Sequence, residues 1–213
     1  MVIVLMQLPP PPGKEFEEYT IEIIFKSTDT TGSHVNLSAP PIFCCQNGNG
    51  YYNNPSVMIN INWGQLTYWH YNDWDFAGYV TDGNWHKVVC IRKNALTYIY
   101  LDDELKVCRS FLPKMPNSNV VLTYNWYDNL SKFRNEVIYI KYFKLYDKAL
   151  EENEFFKNIS YSPLYSIPGI FKYIKKDSDL YLKDWSGNNN DFNCVEPTNL
   201  KSDVIISNLS LKE

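Results

Sequence analysis

Apolar and polar residues alternate along much of the chain, and this alternation predicts β-strands. Residues 19–26 (YTIEIIFK) show it most clearly, because every second residue from Tyr19 to Phe25 is apolar or aromatic and falls on one face of an extended segment. Further strands are predicted at residues 41–45, 57–63, 66–71, 85–92, 96–101, 105–108, 120–126, 137–146 and 204–211. About ten short strands joined by Gly-, Asn- and Asp-rich turns are typical of an all-β sandwich or barrel.

One helix and two flanking segments complete the predicted organisation. Residues 149–157 (ALEENEFFK) carry acidic side chains in the first turn and Lys157 near the end, which suits a helix dipole. Residues 1–16 form an apolar and proline-rich N-terminal arm, and we expect its apolar part to pack against its own domain or a neighbouring chain. The core then spans residues 17–160, and residues 161–213 form a C-terminal segment.

Composition narrows the function classes. A length of 213 residues suits one large all-β domain with a sufficient core, and the aromatic content of 17 Tyr, 11 Phe and 6 Trp is high. The net charge is -4 and no basic stripe occurs, so we expect no nucleic-acid partner. No apolar run approaches the roughly 18 residues of a membrane span, and the opening apolar run is too short for the core of a signal peptide.

The cysteines indicate a reducing compartment during synthesis. There are five, an odd number, two of them are adjacent, and no C-x-x-C spacing occurs: Cys44, Cys45, Cys90, Cys108 and Cys194. A disulfide framework is therefore not expected, and each cysteine is interpreted as a small buried apolar residue. We expect synthesis in the cytoplasm without a signal peptide, and function in a virion or at an outer surface.

Four segments follow one another in an order and spacing that resemble one known family. They are residues 19–26 (YTIEIIFK), 82–89 (DGNWHKVV), 96–104 (LTYIYLDDE) and 143–155 (FKLYDKALEENEF). Together they resemble the "F-T-I-E" strand, the "D-G-x-W-H-x-V" strand, the "L-x-L-Y-V-D-G" hairpin and the closing strand and helix of laminin-G-like jelly-roll domains in the concanavalin A-like lectin and glucanase superfamily. The resemblance covers residues 17–158. It implies an all-β, two-sheet antiparallel jelly-roll sandwich with one short helix.

The chain departs from this family in two places. Asp103 stands where the family commonly has Gly, at a turn where a positive φ would favour Gly or Asp. The segment that resembles the family's opening, residues 169–192, lies at the other end of the chain. Either the domain is circularly permuted and residues 161–213 complete their own sandwich, or they form an extra lobe or an arm that completes a neighbouring copy by strand addition.

The sequence carries no recognisable catalytic pattern. Glycoside hydrolases of this fold need two carboxylates held at a fixed separation on one face, and the expected E-x-D-x-x-E strand is absent. Asp73 and Asp75 form an i, i+2 pair with no third acid, and His86 is expected to pack within its strand. We therefore expect no catalytic residues and no metal ligands. A calcium site built from Asn72, Asp73, Asp75 and Asp82 is the alternative to an absence of cofactors.

The richest candidate site is a cluster of aromatic residues over residues 63–79. The predicted ligand-binding residues are Trp69, Tyr71, Trp74, Asp73, Tyr79 and Asn53. Aromatic rings offer flat apolar faces and Asn or Asp offer hydrogen bonds, which together suit a saccharide. Alternation places Tyr68 on the opposite face of its strand from Trp69, so one of the two faces the core. Core packing, a protein interface and a glycan platform all remain open here, whereas Trp85 and Trp185 are interpreted as core anchors.

Two classes of function therefore follow. The first is a non-enzymatic interaction or structural module of a multi-subunit surface assembly, of the phage virion fibre or decoration type. Its expected partners are other proteins or further copies of the same chain, and a glycan is a candidate ligand. The second is a free-standing lectin-like carbohydrate-binding domain. A sandwich-fold glycoside hydrolase is a weaker third alternative.

Overall fold

The structure is a computed structural model that describes residues 6–8, 16–27, 41–46, 56–70, 73–110, 114–115, 120–122, 138–156, 165–167, 173–176, 179–182 and 192–194. The strands are β1 (Met6–Leu8), β2 (Tyr19–Ser27), β3 (Pro41–Gln46), β4 (Ser56–Asn62), β5 (Gln65–His70), β6 (Asp73–Tyr79), β7 (Trp85–Lys93), β8 (Leu96–Leu101), β9 (Glu104–Ser110), β10 (Val120–Leu122), β11 (Ile138–Tyr146), β12 (Tyr165–Ile167), β13 (Tyr173–Lys176), β14 (Asp179–Leu182) and β15 (Phe192–Cys194), and the helix α1 is Glu152–Phe156.

The strands form two antiparallel sheets. The larger has nine strands in the order β13-β14-β15-β1-β10-β3-β4-β5-β6, and the smaller has six in the order β12-β11-β2-β7-β8-β9. Each described strand pairs antiparallel with its neighbours. The prediction of an all-β, two-sheet antiparallel jelly-roll sandwich with one short helix is confirmed.

The core lies between the inner faces of the two sheets. Every second residue of β2 from Tyr19 to Phe25 is fully buried there, as the alternation predicted. Phe43 of the larger sheet stacks on Phe143 of the smaller sheet, with ring centroids 6.0 Å apart. Burial of each such side chain contributes roughly 1.5–3 kcal/mol, so this layer supplies most of the stabilisation.

The helix begins later than predicted. It begins at Glu152, because the backbone before it is already engaged: the Leu150 N–H donates to Thr20 Oγ1 (2.9 Å), and Leu150 packs on the outer face of the smaller sheet. The Glu154 N–H then donates to the Glu151 carbonyl (2.8 Å) and starts the turn. The start of the helix is therefore determined by the contact with β2, and not by the run of acidic residues.

Strand β6 was missed by the pattern, which predicted no strand between residues 71 and 85. Asp73, Asp75 and Gly78 are disfavoured in strands, yet β6 pairs along its length with β5 at one edge of the larger sheet. Tertiary pairing here overrides propensity.

The two ends of the chain add strands to the sheets. Strand β1, within the N-terminal arm, pairs with both β10 and β15, and β12 pairs with β11. Exchange of residues 161–213 with a neighbouring copy stays a prediction, and the strand predicted at residues 204–211 lies outside the described residues.

Three hairpin turns hold non-glycine residues in the left-handed region. The φ values are 50° at Trp63, 50° and 61° at Asn94 and Ala95, and 51° and 68° at Asp102 and Asp103. Asn and Asp tolerate this conformation, which accounts for Asp103 where the family commonly has Gly. Ala and Trp tolerate it poorly, so the turns that contain Ala95 and Trp63 store strain.

Reciprocal substitutions in two of these turns test the stored strain. Gly64 has a φ of 74°, and a Cβ there would lie 2.8 Å from Thr81 Oγ1, so Gly64→Ala is expected to lower the free energy of unfolding by at least about 1–2 kcal/mol. Ala95→Gly removes the Cβ from a residue with a positive φ, and it is expected to raise the free energy of unfolding by about 1 kcal/mol. Urea unfolding measures both, and a loss of stability in Ala95→Gly would contradict the interpretation.

Candidate functional site

The six predicted site residues are only partly covered by the described structure. Trp69 and Trp74 are directly paired across β5 and β6, and Asp73 pairs with His70 one position further along. Trp74 is half-buried against Cys44 and Met58 on the outer side of the larger sheet, whereas Tyr79 is 73% exposed. Because Tyr68 is buried in the core, the face of β5 that carries it is the inner one. Tyr71 and Asn53 lie outside the described residues, and so does Trp185, the second predicted core anchor.

Three exposed aromatic side chains lie together where β4, β5 and β6 meet, and we call them the aromatic surface: Trp63, Phe76 and Tyr79. Their exposed fractions are 47%, 41% and 73%. The rings of Trp63 and Phe76 stack with centroids 6.0 Å apart and planes 15° from parallel. The Tyr79 ring lies close to the adjoining turn, because a Cβ placed on Gly64 would be 3.6 Å from Tyr79 Cδ1. Single exposed apolar residues are ordinary, but three on neighbouring segments at one edge of a sheet form a patch.

A β-bulge gives the aromatic surface its geometry. Leu66 pairs with Gly78 and Thr67 pairs with Phe76, so Ala77 is the extra residue in β6. Ala77 is buried in the core, and a Cβ at Gly78 would lie 3.1 Å from Leu101 Cδ2, so both face inward. Phe76 and Tyr79 can therefore both face outward, although strict alternation would place them on opposite faces.

The turn that presents Trp63 is energetically unfavourable for it. Trp63 and Gly64 have φ values of 50° and 74°, the pattern of a two-residue hairpin in which Asn-Gly is the preferred pair. A bulky residue in this region costs roughly 1–2 kcal/mol relative to Gly. Such strain tends to persist where a side chain has a task outside the fold. The sequence did contain the signal, a Trp-Gly turn, but the alternation alone assigned Trp63 to a strand.

An ion pair anchors the strand behind the aromatic surface. Asp75 points inward from β6 and accepts from Arg109 of β9, with Nε and Nη2 at 2.8 and 2.7 Å from Oδ1. The pair joins the edges of the two sheets and fixes β6 against β9. A charged pair of this geometry restricts the motion of the edge that carries Phe76 and Tyr79.

The carboxylates proposed for calcium are engaged elsewhere. Asp75 is paired with Arg109, and Asp82 accepts from Asn84 and contacts His86. Asn72 lies outside the described residues, and nothing is described of the Asp73 side chain. Within the described ranges, no three His, Cys, Asp or Glu side chains are placed to hold a metal ion. The calcium hypothesis stays a prediction.

His86 is bridged by two carboxylates. Its Nδ1 lies 2.8 Å from Asp102 Oδ2 and its Nε2 lies 3.0 Å from Asp82 Oδ1. Asp102 also accepts from the Lys87 N–H (2.8 Å), so the bridge ties the start of β7 to the β8–β9 turn. Burial lowers the pKa of His86, but the hydrogen bonds that Asp102 and Asp82 accept from the ring outweigh this effect and raise the pKa above its ordinary value. The Asn84 backbone N–H and then His86 lower the pKa of Asp82 to about 2. We interpret the group as a structural clamp rather than a catalytic one.

Four cysteines are free thiols in the part of the chain that the structure describes. Cys44, Cys45 and Cys90 are buried, and burial raises the pKa of Cys44 to about 12. Cys108 is exposed, contrary to the interpretation of every cysteine as buried, because it lies on the edge strand β9. Among the described helices, none is long and apolar enough to cross a membrane.

The comparisons with known proteins identify a fold. No family model matches the chain. No curated protein matches it either. Among solved structures, a proposed carbohydrate-binding protein from Bacteroides ovatus matches with a TM-score of 0.67 and 11% identity over 89% of this chain and 55% of that one. Botulinum neurotoxin type C, described for its interaction with two ganglioside molecules, matches with a TM-score of 0.50 and 13% identity over 83% of this chain and 48% of that one. The chain thus spans about half the length of these structures, which share its jelly-roll sandwich.

The His86 clamp makes a pH-dependent contribution to stability. Because its pKa is raised on folding, the contribution is fully present below the ordinary His pKa of about 6.5 and is lost as the pH rises through the folded-state value. We expect the free energy of unfolding of the native chain to fall relative to that of His86→Gln as the pH is raised from about 6 upward. Urea unfolding at several pH values measures this difference, and a constant difference across the range would refute the clamp.

Proposed function

We propose that the chain is a non-enzymatic carbohydrate-binding module whose aromatic surface receives one face of a sugar ring. The observation that carries the proposal is the exposed, stacked pair of Trp63 and Phe76 beside Tyr79, with Trp63 held in a backbone conformation that disfavours it. A sugar ring offers C–H groups on its faces and hydroxyls at its rim. Flat aromatic rings match the first of these, and the Tyr79 hydroxyl can match the second.

The surroundings of the aromatic surface support binding rather than chemistry. The described carboxylates behind it are committed to other groups, Asp75 to Arg109 and Asp82 to Asn84 and His86. A glycosidase needs two carboxylates free to act on one bond. The residues next to the aromatic surface therefore favour a site that holds a sugar without cleaving it.

The structural comparisons agree with this class of function, but they are not the evidence on which the proposal rests. The Bacteroides ovatus protein shares the fold and is itself proposed to bind carbohydrate. Because its identity to this chain is 11%, the likeness shows the fold alone, and the proposal rests on the residues of the aromatic surface.

The wider assembly role stays a prediction. Neither the described contacts nor the comparisons bear on a virion, on protein partners or on the place where the protein acts. Binding of a glycan by the aromatic surface would be compatible with either a free-standing module or a subunit of a larger assembly.

Substitution of Trp63 separates binding from folding. Trp63→Asn places a favoured residue in the left-handed turn while it removes the ring, so stability should change by no more than about 1 kcal/mol. Saccharide binding should weaken about five- to thirtyfold, because a stacked aromatic ring supplies on the order of 1–2 kcal/mol. A glycan array would identify the ligand for the native chain, and calorimetry would compare the variants.

The matched control is Leu105→Ala on β9, which removes another exposed apolar side chain, 48% exposed, away from the aromatic surface. Tyr79→Ala should behave like Trp63→Asn, and Leu105→Ala should bind like the native chain. Trp74→Ala is a poorer probe, because it opens the packing against Cys44 and Met58. Equal binding by native chain, Trp63→Asn and Tyr79→Ala would refute the proposal.

A further inference from the structure

Trp85 was interpreted as a core anchor, and the structure shows that this is wrong. The side chain is 45% exposed at the start of β7. The next residue, His86, points inward and packs near Phe25, with ring centroids 6.2 Å apart. Alternation then places Trp85 on the outer face of the smaller sheet. Because His86 faces the core, the neighbouring Trp85 cannot face it as well.

Two lysines lie over the Trp85 ring. Lys26 Nζ is 5.4 Å and Lys141 Nζ is 5.7 Å from the ring centroid, both within the range of a cation–π contact. Lys26 is the direct register partner of Trp85 in β2. The two cations therefore converge on one exposed indole from two different strands.

A second β-bulge supplies Lys141. Ile140 pairs with Phe25 and Tyr142 pairs with Ile24, so Lys141 is the extra residue in β11. Ile140 and Phe143 are both in the core, which leaves Lys141 and Tyr142 together outside it. Without the bulge, strict alternation would turn one of these two residues inward.

The same outer face carries further charged side chains around the rings. Lys144 Nζ lies 4.7 Å from the Tyr142 ring centroid. The carboxylate of Glu22 is taken up by the Tyr142 hydroxyl, which donates to Oε2 (2.9 Å), and by Lys87 at 3.7 Å, and Lys87 also contacts Asp103. Among the described residues, the ammonium groups of Lys26, Lys141, Lys144 and Lys87 and the carboxylates of Glu22 and Asp103 thus lie around the two rings.

We propose that Trp85, Lys26 and Lys141 form a second binding site, for a saccharide that carries a carboxylate or a sulfate. The indole receives the apolar face of one sugar ring, and the two ammonium groups pair with its anionic group. The lysine side chains are flexible enough to move aside from the indole and contact an anion above it. Both ammonium groups lie within about 6 Å of the centre of the indole. This spacing suits a single charged sugar ring better than an extended acidic peptide.

The second site is independent of the aromatic surface. Trp85 lies on the outer face of the smaller sheet, whereas Phe76 and Tyr79 lie on a strand of the larger sheet. Failure of one proposal therefore leaves the other standing, and the variants of each serve as controls for the other.

Calorimetry of the full chain with four probes tests the second site. The probes are trigalacturonate for the carboxylate, a sulfated heparin tetrasaccharide for the sulfate, neutral maltotriose, and poly-L-glutamate for an acidic peptide. We expect one of the first two to bind and to bind at least about tenfold more weakly when salt is raised from about 20 to about 200 mM. Whichever of the two binds identifies the anionic group.

Three variants localise the binding. Trp85→Ala and Lys141→Gln should each weaken it at least about fivefold, since each removes one of the contacts. Lys141 is an exposed bulge residue, so Lys141→Gln keeps the test valid if Trp85→Ala folds poorly. Lys106→Gln, which removes an exposed lysine on β9, and Trp63→Asn should bind like the native chain.

Several outcomes would overturn the second site. They are the absence of binding by both anionic saccharides, binding that Trp85→Ala and Lys141→Gln leave unchanged, and binding of maltotriose or poly-L-glutamate by Trp63→Asn, whose aromatic surface is altered, that is as tight as its binding of the anionic saccharides. The last of these would mean that the lysines attract any acidic chain, or that the indole receives any sugar.

Discussion

The face-to-face burial of the two sheets determines every other feature of this protein. Phe43 against Phe143, and the hydroxyls of Tyr19 and Tyr68 at 3.2 Å, join the sheets across the core. Because side chains alternate along a strand, fixing one face inward also fixes which residues face solvent, and a slip by one residue would reverse the two. The exposed residues of both surfaces are therefore consequences of the core, and they cannot change faces unless the core is rearranged.

Both candidate surfaces arise where this alternation is interrupted. Ala77 in β6 and Lys141 in β11 are the extra residues of two β-bulges, and each bulge places on one face two side chains that a regular strand would have separated. In β6 the bulge places Phe76 and Tyr79 on the outer face of the larger sheet, and in β11 it places Lys141 and Tyr142 outside the core. Ala77 and Ile140, at the two bulges, nevertheless stay in the core.

The sequence predicts the parts of this structure that obey a regular period, and fails where the period breaks. The inward residues of β2 follow from alternation, and the jelly-roll sandwich follows from four segments in order. Strand β6 does not, because Asp75 and Gly78 disfavour a strand and only pairing with β5 offsets them. The aromatic content of residues 63–79 indicated the region of the first site. It could not indicate which rings are exposed, because that depends on a bulge that leaves no local signature.

The connection between the two ends of the chain has a practical consequence. Strands β13, β14 and β15 meet the rest of the larger sheet through β1, a strand of three residues between β15 and β10. Residues 6–8 therefore join β15 to β10, two strands that lie far from β1 in the sequence. A purification tag or a truncation that displaced residues 6–8 would detach β13, β14 and β15 from the rest of the larger sheet. A tag on the recombinant protein is therefore best placed away from Met6.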